Sequence, residues 1–253
     1  MSAERSLAPD LATGTRTDEL LGAGTRWLDA SSDSPRLDAE LLLAHALDKP
    51  RTYLYQTLSA AVPAEILVRY AALLGQRAEH RPLAQITGMR EFWSFGLKVT
   101  VDTLVPRPET ELLVELALKQ IPPERQHAIA DLGTGTGAVA IAIARERPQC
   151  TVFATDLSPE ALAVAMQNAA GLGTRNICFH AGDWFSALKG KRFAVVVSNP
   201  PYIADDEWSE TDPGLGFEPR LALSGGPDGL ADIRRIVSAA PAHLESGGWL
   251  LLE

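Results

Sequence analysis

The sequence predicts an α/β fold: a parallel β-sheet with helices on both faces, preceded by a small helical bundle and a β-hairpin. Three observations carry this. After residue 127, short and continuously apolar runs such as Phe193–Ser198 alternate with helical patterns, as expected for strands buried on both faces. Residues 17–85 show helical periodicity throughout. Between these regions, residues 86–107 include an alternating apolar stretch punctuated by Gly88 and Gly96.

The elements follow in order. Residues 1–16 are small and polar and read as a flexible terminus. Thr17 is placed as an N-cap, with Asp18 and Glu19 favourable in the first turn; Leu20, Leu21, Gly24, Trp27 and Leu28 then share one helical face. Ser34 and Pro35 open a second helix as N-cap and first helical residue. Its inner face is read as Leu37, Leu41 and Ala44, and it stops before Pro50. A third helix begins near Pro63 and presents Ile66, Leu67, Tyr70, Leu73 and Leu74. The bundle over 17–85 is either a packing module or a docking surface for a macromolecular partner, and docking is the expectation adopted. The stretch 86–107 reads as a β-hairpin linker carrying Ile86, Phe92, Trp93, Phe95, Leu97, Val99 and Val101. Residues 108–253 form the α/β domain. It opens with a helix whose inner face is read as Leu112, Leu113 and Leu116. Strands are expected at 128–131, 151–156, 176–180, 193–198 and 248–253, with helices at 138–147, from Ser158-Pro159 towards Gly171, and at 230–244. A chain stopping on an apolar strand at Glu253 leaves an uncovered edge, so a truncated chain is expected.

Composition narrows the classes. The 253 residues are 46% hydrophobic with a net charge of −9; such a chain builds a core and is not wholly disordered. The first 85 residues carry −2 and the rest −7, which argues against a protein that tracks nucleic-acid phosphates. Cys150 and Cys178 form no CxxC pair, so neither a disulfide framework nor a cysteine zinc site is expected. The histidines at 45, 80, 127, 180 and 243 show no ligand spacing, so no catalytic metal is expected. No apolar run has the roughly 18 residues of a membrane span, and Met1–Thr17 lacks a secretory apolar core. A cytoplasmic protein, taken as a monomer, is the expectation.

Two segments carry chemistry. Asp131-Leu132-Gly133-Thr134-Gly135-Thr136-Gly137 follows a strand and opens a helix; glycines there let backbone approach a ligand closely. Asp156 closes the next strand, where a carboxylate accepts ribose hydroxyls. Asp183-Trp184 follows the third strand, where an aromatic ring could face an adenine. The same glycines also satisfy a dinucleotide fingerprint, with an acid about twenty residues on. Asp131 tips the balance towards a cationic ligand with an amino group, namely S-adenosylmethionine, because a pyrophosphate would be repelled by that carboxylate. The second segment is Asn199-Pro200-Pro201-Tyr202, at the end of the fourth strand. Two prolines remove backbone donors and stiffen the chain. The Asn199 side-chain oxygen and the Pro200 carbonyl remain as acceptors for a planar NH₂ group, with the Tyr202 ring beside them. A bare strand-ending turn is the alternative.

The pairing of these segments resembles the class I methyltransferases that modify planar amino nitrogens. Pro82–Gly88 (PLAQITG), Val105–Glu111 (VPRPETE) and Phe217–Leu223 (FEPRLAL) followed by Gly225-Gly226 and Asp228-Gly229 narrow the resemblance. Together they look like the peptide chain release factor N5-glutamine methyltransferase family (HemK/PrmC type), over roughly residues 18–253. The resemblance implies a class I methyltransferase Rossmann-like sheet behind the bundle and hairpin. It implies S-adenosyl-L-methionine as cofactor, S-adenosyl-L-homocysteine as product, and bacterial class-1 release factors as protein substrate, methylated on the glutamine of a Gly-Gly-Gln motif. Asp131, Gly133, Thr134, Gly135, Thr136, Gly137, Asp156, Asp183, Trp184 and Asn199 are then expected at the cofactor. Asn199, Pro200, Pro201 and Tyr202 are expected at the substrate, with Asn199, Pro200 and Tyr202 catalytic. The segment Arg107–Glu111 is expected to shape the pocket, and Glu218-Pro219-Arg220 to be a mobile docking loop. The family's last two strands, an antiparallel hairpin after strand five, are missing here. The readings left open are an N6-adenine nucleic-acid methyltransferase, a glutamine methyltransferase of a ribosomal protein, a nicotinamide oxidoreductase and a binding module without catalysis.

Overall fold

A computed structural model describes Leu11 and residues 14–253. Most of the expected flexible terminus, 1–16, lies outside the described residues. Thr15 and Arg16, which are described, are tied down. The Thr15 carbonyl accepts from the Val62 amide at 3.1 Å, and Arg16 forms an isolated antiparallel bridge with Ala61. The chain divides into two compact units between Thr87 and Gly88.

The first unit holds α1 (Thr17–Leu28), α2 (Pro35–Leu47), α3 (Arg51–Gln56), α4 (Ala64–Ala78) and α5 (Leu83–Thr87). Its core is built from Leu20, Leu21, Leu42, Leu43, Tyr70 and Leu74. Arg16, not Thr17, is the cap of α1: its amide donates to the Glu19 carboxylate at 2.9 Å, while Thr17 is already helical and buried. Ser34 caps α2 in position but makes no side-chain capping bond; the Ser32 hydroxyl takes the Ser34 amide instead, at 3.0 Å. The inner face of α2 also differs from expectation. Leu37 is exposed and Leu41 half-buried, while Ala39, Leu42, Leu43 and Ala46 point inward. Three successive leucines leave the rotation of this helix open, and ion pairs fix it. Asp38 is buried against Arg77 at 2.6 Å, and Glu40 against Arg51 at 2.6 Å and Arg36 at 2.7 Å. Buried carboxylates need such partners.

The second unit begins with an antiparallel hairpin, β1 (Met89–Phe92) and β2 (Phe95–Lys98), turned through Trp93 and Ser94 at φ +48° and +64°, as a two-residue hairpin loop requires. The strands are shorter than the 86–107 linker expected: Ile86 is helical and Val101 is exposed in a loop. There follow α6 (Thr110–Gln120), β3 (Ala128–Leu132), α7 (Ala138–Glu146), β4 (Thr151–Asp156), α8 (Pro159–Gly171), β5 (Ile177–Ala181), β6 (Phe193–Ser198), α9 (Ala231–His243) and β7 (Leu244–Leu252). The sheet order is β5-β4-β3-β6-β7, with every neighbouring pair parallel. Successive strand residues alternate between faces. Ile129, Val195 and Val197 join a core with α6 and α7, whereas Ala130, Leu132 and Val196 join Phe185 and Ile236. In α6 the inward residues are Leu113, Val114 and Ala117, not Leu112 and Leu116, which are exposed. Val114 and the small Ala117 share a core with the alanine-rich α7. The last strand is longer than expected and carries Gly247 at φ +77°. Among the described residues, no helix is long and apolar enough to cross a membrane.

Candidate active site

The chain winds from β3 through β4 to β5 on one side, and from β6 to β7 on the other. Between β3 and β6 the order reverses, and ligands of open α/β sheets bind at such a point, beyond the carboxyl ends of the strands. A cavity of about 420 Å³ lies there.

The turn after β3 forms one wall. Gly133, Gly135 and Gly137 have φ of +72°, +56° and +82°, a region glycine enters without strain. A Cβ on Gly133 would come within 3.1 Å of the Trp184 ring, and one on Gly135 would meet no protein atom within 4 Å. Both glycines line the cavity. The amides of Gly133 and Thr134 donate to the Thr155 carbonyl at 2.9 and 2.8 Å, which anchors the turn on β4.

Two carboxylates divide the labour. Asp156, at the end of β4, lines the cavity and accepts from the Gly135 amide at 2.8 Å and the Ser158 amide at 2.9 Å. Asp131 is 2% exposed and lies outside the cavity lining. It accepts from the Thr134 hydroxyl at 2.6 Å and from the Ala140 amide, bracing the turn from beneath. Burial pushes its carboxyl up to about 6, with the Asp156 charge adding to the rise.

The opposite wall comes from Asp183, Trp184 and α9. Trp184 adopts φ +47°, and its indole Nε1 donates to Asp232 at 3.1 Å. Arg235 pairs with both Asp183 and Asp232. The floor is Asn199 and Pro201. The Asn199 Nδ2 donates to the Thr110 hydroxyl at 3.4 Å, so its engaged end is the NH₂ and the carbonyl oxygen is left over. Pro200 is buried but is not part of the lining, and Tyr202 is 55% exposed outside it.

The structure therefore gathers Gly133, Gly135, Asp156, Asp183, Trp184, Asn199 and Pro201 around one space. It places Asp131, Thr134, Thr136 and Gly137 behind it as supports, with Gly137 capping α7. The sequence carries no sign of two features and predicts a third differently. Asp232 and Arg235 reach the cavity from a helix about fifty residues beyond Trp184, and no motif marks them. Asn168 of α8 is buried and ties the turn to the hairpin: its Nδ2 donates to the Thr136 carbonyl at 2.9 Å and the Lys98 carbonyl at 3.0 Å. Glu218, expected in a mobile loop, is clamped. It accepts from the Val105 amide at 2.7 Å and from Arg107 at 2.5 Å. Its neighbours Pro219, Leu221 and Ala222 line the cavity. The expected role of the Arg107 region in shaping the pocket thus acquires a geometry.

Residues 19–88 match the PrmC N-terminal domain, and residues 109–211 match the methyltransferase small domain. The release factor glutamine methyltransferase of Xylella fastidiosa (strain Temecula1) is 46% identical over 234 residues, 92% of this chain and 83% of the relative. That of Escherichia coli (strain K12) is 46% identical over 223 residues, 88% of this chain and 80% of the relative. The crystal structure of a ribosomal protein L11 methylase from Lactobacillus delbrueckii subsp. bulgaricus is 21% identical, covering 58% of this chain and 60% of its own, with a TM-score of 0.41.

Proposed function

The chain belongs to the release factor glutamine methyltransferase family; from that premise we propose that it transfers a methyl group from S-adenosyl-L-methionine to the side-chain nitrogen N5 of the glutamine in the Gly-Gly-Gln motif of class-1 peptide chain release factors. The observation that carries this reading is Asn199: it borders the cavity with its NH₂ already engaged by Thr110, which leaves an oxygen acceptor for a substrate NH₂.

The cofactor fits the residues present. The glycine cradle leaves space that a Cβ on Gly135 would enter, and Asp156 offers carboxylate oxygens to hydroxyl donors beside the Trp184 ring. Gly133, Gly135, Asp156, Asp183 and Trp184 would hold it. Bound there, S-adenosylmethionine supplies an activated sulfonium methyl.

The chain's own residues handle the nucleophile. A carboxamide nitrogen is a poor nucleophile because its lone pair is delocalised into the carbonyl. Asn199 Oδ1, at the cavity floor, accepts one N–H hydrogen; the Pro200 carbonyl, which lies outside the cavity lining, takes the second once the substrate is seated, and together they fix the nitrogen's direction. As charge develops on the nitrogen, those hydrogens become more acidic and the acceptors hold them more strongly. Stabilisation therefore grows towards the transition state. The Tyr202 ring, exposed outside the cavity lining, packs against the amide plane only once the release factor is bound. Asp131, an acid with a raised pKa, is turned away onto Thr134 and Ala140 and takes no proton from the substrate. The proton leaves to water after transfer. The enzyme acts in the cytoplasm as a monomer, and residues 17–85 dock the release factor.

The test uses unmethylated release factor and isotope-labelled cofactor, followed by mass mapping. One methyl on N5 of the Gly-Gly-Gln glutamine supports the reading. Label found only on adenine in DNA, or only on a ribosomal protein, overturns it.

A further inference from the structure

The Asn199 carboxamide presents an acceptor to the cavity in only one of its two orientations. Turning it by half a rotation exchanges Oδ1 and Nδ2, two ends of nearly equal size. Packing alone does not choose between them, so a polar partner must. The partners are Thr110, the first residue of α6, which is buried, and the Glu253 carboxylate, which also accepts from the Asn199 side chain.

A threonine hydroxyl has one hydrogen and two lone pairs. Thr110 spends its hydrogen on Glu253 Oε1 at 3.1 Å. Only lone pairs are then left for Asn199, whose Nδ2 lies 3.4 Å away. A carboxylate only accepts, so the direction of the whole chain of bonds is set at Glu253. Three elements converge to place these groups. Leu252 of β7 lies opposite Ser198 of β6, so residues 253 and 199 leave adjacent strands side by side. The Glu253 amide donates to the Ser198 carbonyl at 3.2 Å. The N-terminus of α6 brings Thr110 between them. Burial raises the Glu253 carboxyl above its ordinary range, and the Thr110 and Asn199 side chains oppose that rise. Neither Thr110 nor Glu253 lines the cavity.

We infer that Thr110 and Glu253 are positioning residues that lock the Asn199 carboxamide with its oxygen free for the substrate amide. The inference deepens the proposed function and rests on Asn199 acting as an acceptor there. It differs from a packing role in what it demands. Thr110→Val keeps the shape but removes one of the two acceptors of the Asn199 NH₂, leaving Glu253 alone to hold it, and so loosens the carboxamide. Thr110→Ser keeps the hydroxyl. Glu253→Gln lets an NH₂ donate to Thr110, which reverses the direction of the bonds.

The experiment measures methyl transfer to unmethylated release factor, S-adenosylhomocysteine affinity and Tm for each variant. Thr110→Val is expected to lower kcat about tenfold, the scale of one lost hydrogen-bond preference, with the KM for release factor, the product affinity and Tm little changed. Thr110→Ser is expected to recover most of that loss, and Glu253→Gln to fall between. Native kcat in Thr110→Val overturns the inference while the proposed function stands. A loss in Thr110→Ser as large as in Thr110→Val, or one matched by lower product affinity and Tm, overturns it as well. A native enzyme that labels no glutamine fails the proposed function itself, and the inference with it.

Discussion

Arg107→Ala isolates what holds the cavity wall in place. The Glu218 side chain is 1% exposed and has two partners, Arg107 at 2.5 Å and the Val105 amide at 2.7 Å. Removing the guanidinium strands a buried carboxylate, which costs about 3–5 kcal/mol when nothing relaxes. Arg107 is itself 33% exposed, so water can follow its removal and the lower end, about 3 kcal/mol, applies. The segment can relieve this cost by peeling away while the sheet stays folded, so the loss is expected to be local. The Val105 amide reports it directly, because its hydrogen bond ends on Glu218. About 3 kcal/mol corresponds to roughly 100-fold faster amide exchange. Native-state hydrogen exchange should show that acceleration at Val105, with Ile129 in the central strand β3 unaffected. S-adenosylhomocysteine affinity should fall too, because Pro219, Leu221 and Ala222 line the cavity. Unchanged exchange at Val105 would refute the reasoning. Equal acceleration at Val105 and Ile129 would refute its local character.

Three further outcomes are expected. Gly137→Ala puts a Cβ at φ +82° and 3.1 Å from both Ala165 Cβ and Ile141 Cδ1, so the urea midpoint should drop by an amount equivalent to about 2–3 kcal/mol. Asp131 titrates near 6 in the folded chain against an ordinary 3.8. The folded state therefore holds its proton more tightly than the unfolded state, and this group's contribution to stability declines as pH rises from about 4 to about 6, by roughly 3 kcal/mol. Comparing denaturant unfolding of Asp131→Asn with native protein across that window should show the difference moving in the variant's favour as pH rises; a pH-independent difference would contradict it. Asp156→Asn keeps one acceptor where two loop amides now bind, so S-adenosylhomocysteine affinity measured by calorimetry should weaken about tenfold, the scale of one charge-assisted hydrogen bond.

Strands buried on both faces announce themselves as apolar runs, so the sheet was readable from sequence at β3, β4 and β6. The glycine turn was readable for the same kind of reason: few other sequences tolerate three left-handed residues in seven. Helix rotation was not readable where leucines surround the helix. In α2 the deciding force is Asp38 and Glu40 meeting arginines from α4, α3 and α2 itself, and in α6 it is the fit of Val114 and Ala117 into the α7 core. The cap at Arg16 was missed because a backbone amide bonding to Glu19 needs no capping side chain. At the site, Asn199 was legible from two prolines at the end of a strand. The sequence marks Thr110 and Glu218 only as members of the segments 107–111 and 218–220, and Asp232 not at all; their contacts were not legible because each acts through a partner more than forty residues away. Asp131 stood out as an acid beside the glycines, yet its carboxylate braces the turn and does not line the cavity.

The most direct measurement is the single-turnover rate of methyl transfer by Asn199→Ala, with saturating cofactor and release factor. A fall of about 10²–10³ is expected, the effect of removing one preorganised acceptor or donor from a developing charge, with the fold unchanged by circular dichroism. A rate near that of the native enzyme would contradict the role given to this side chain.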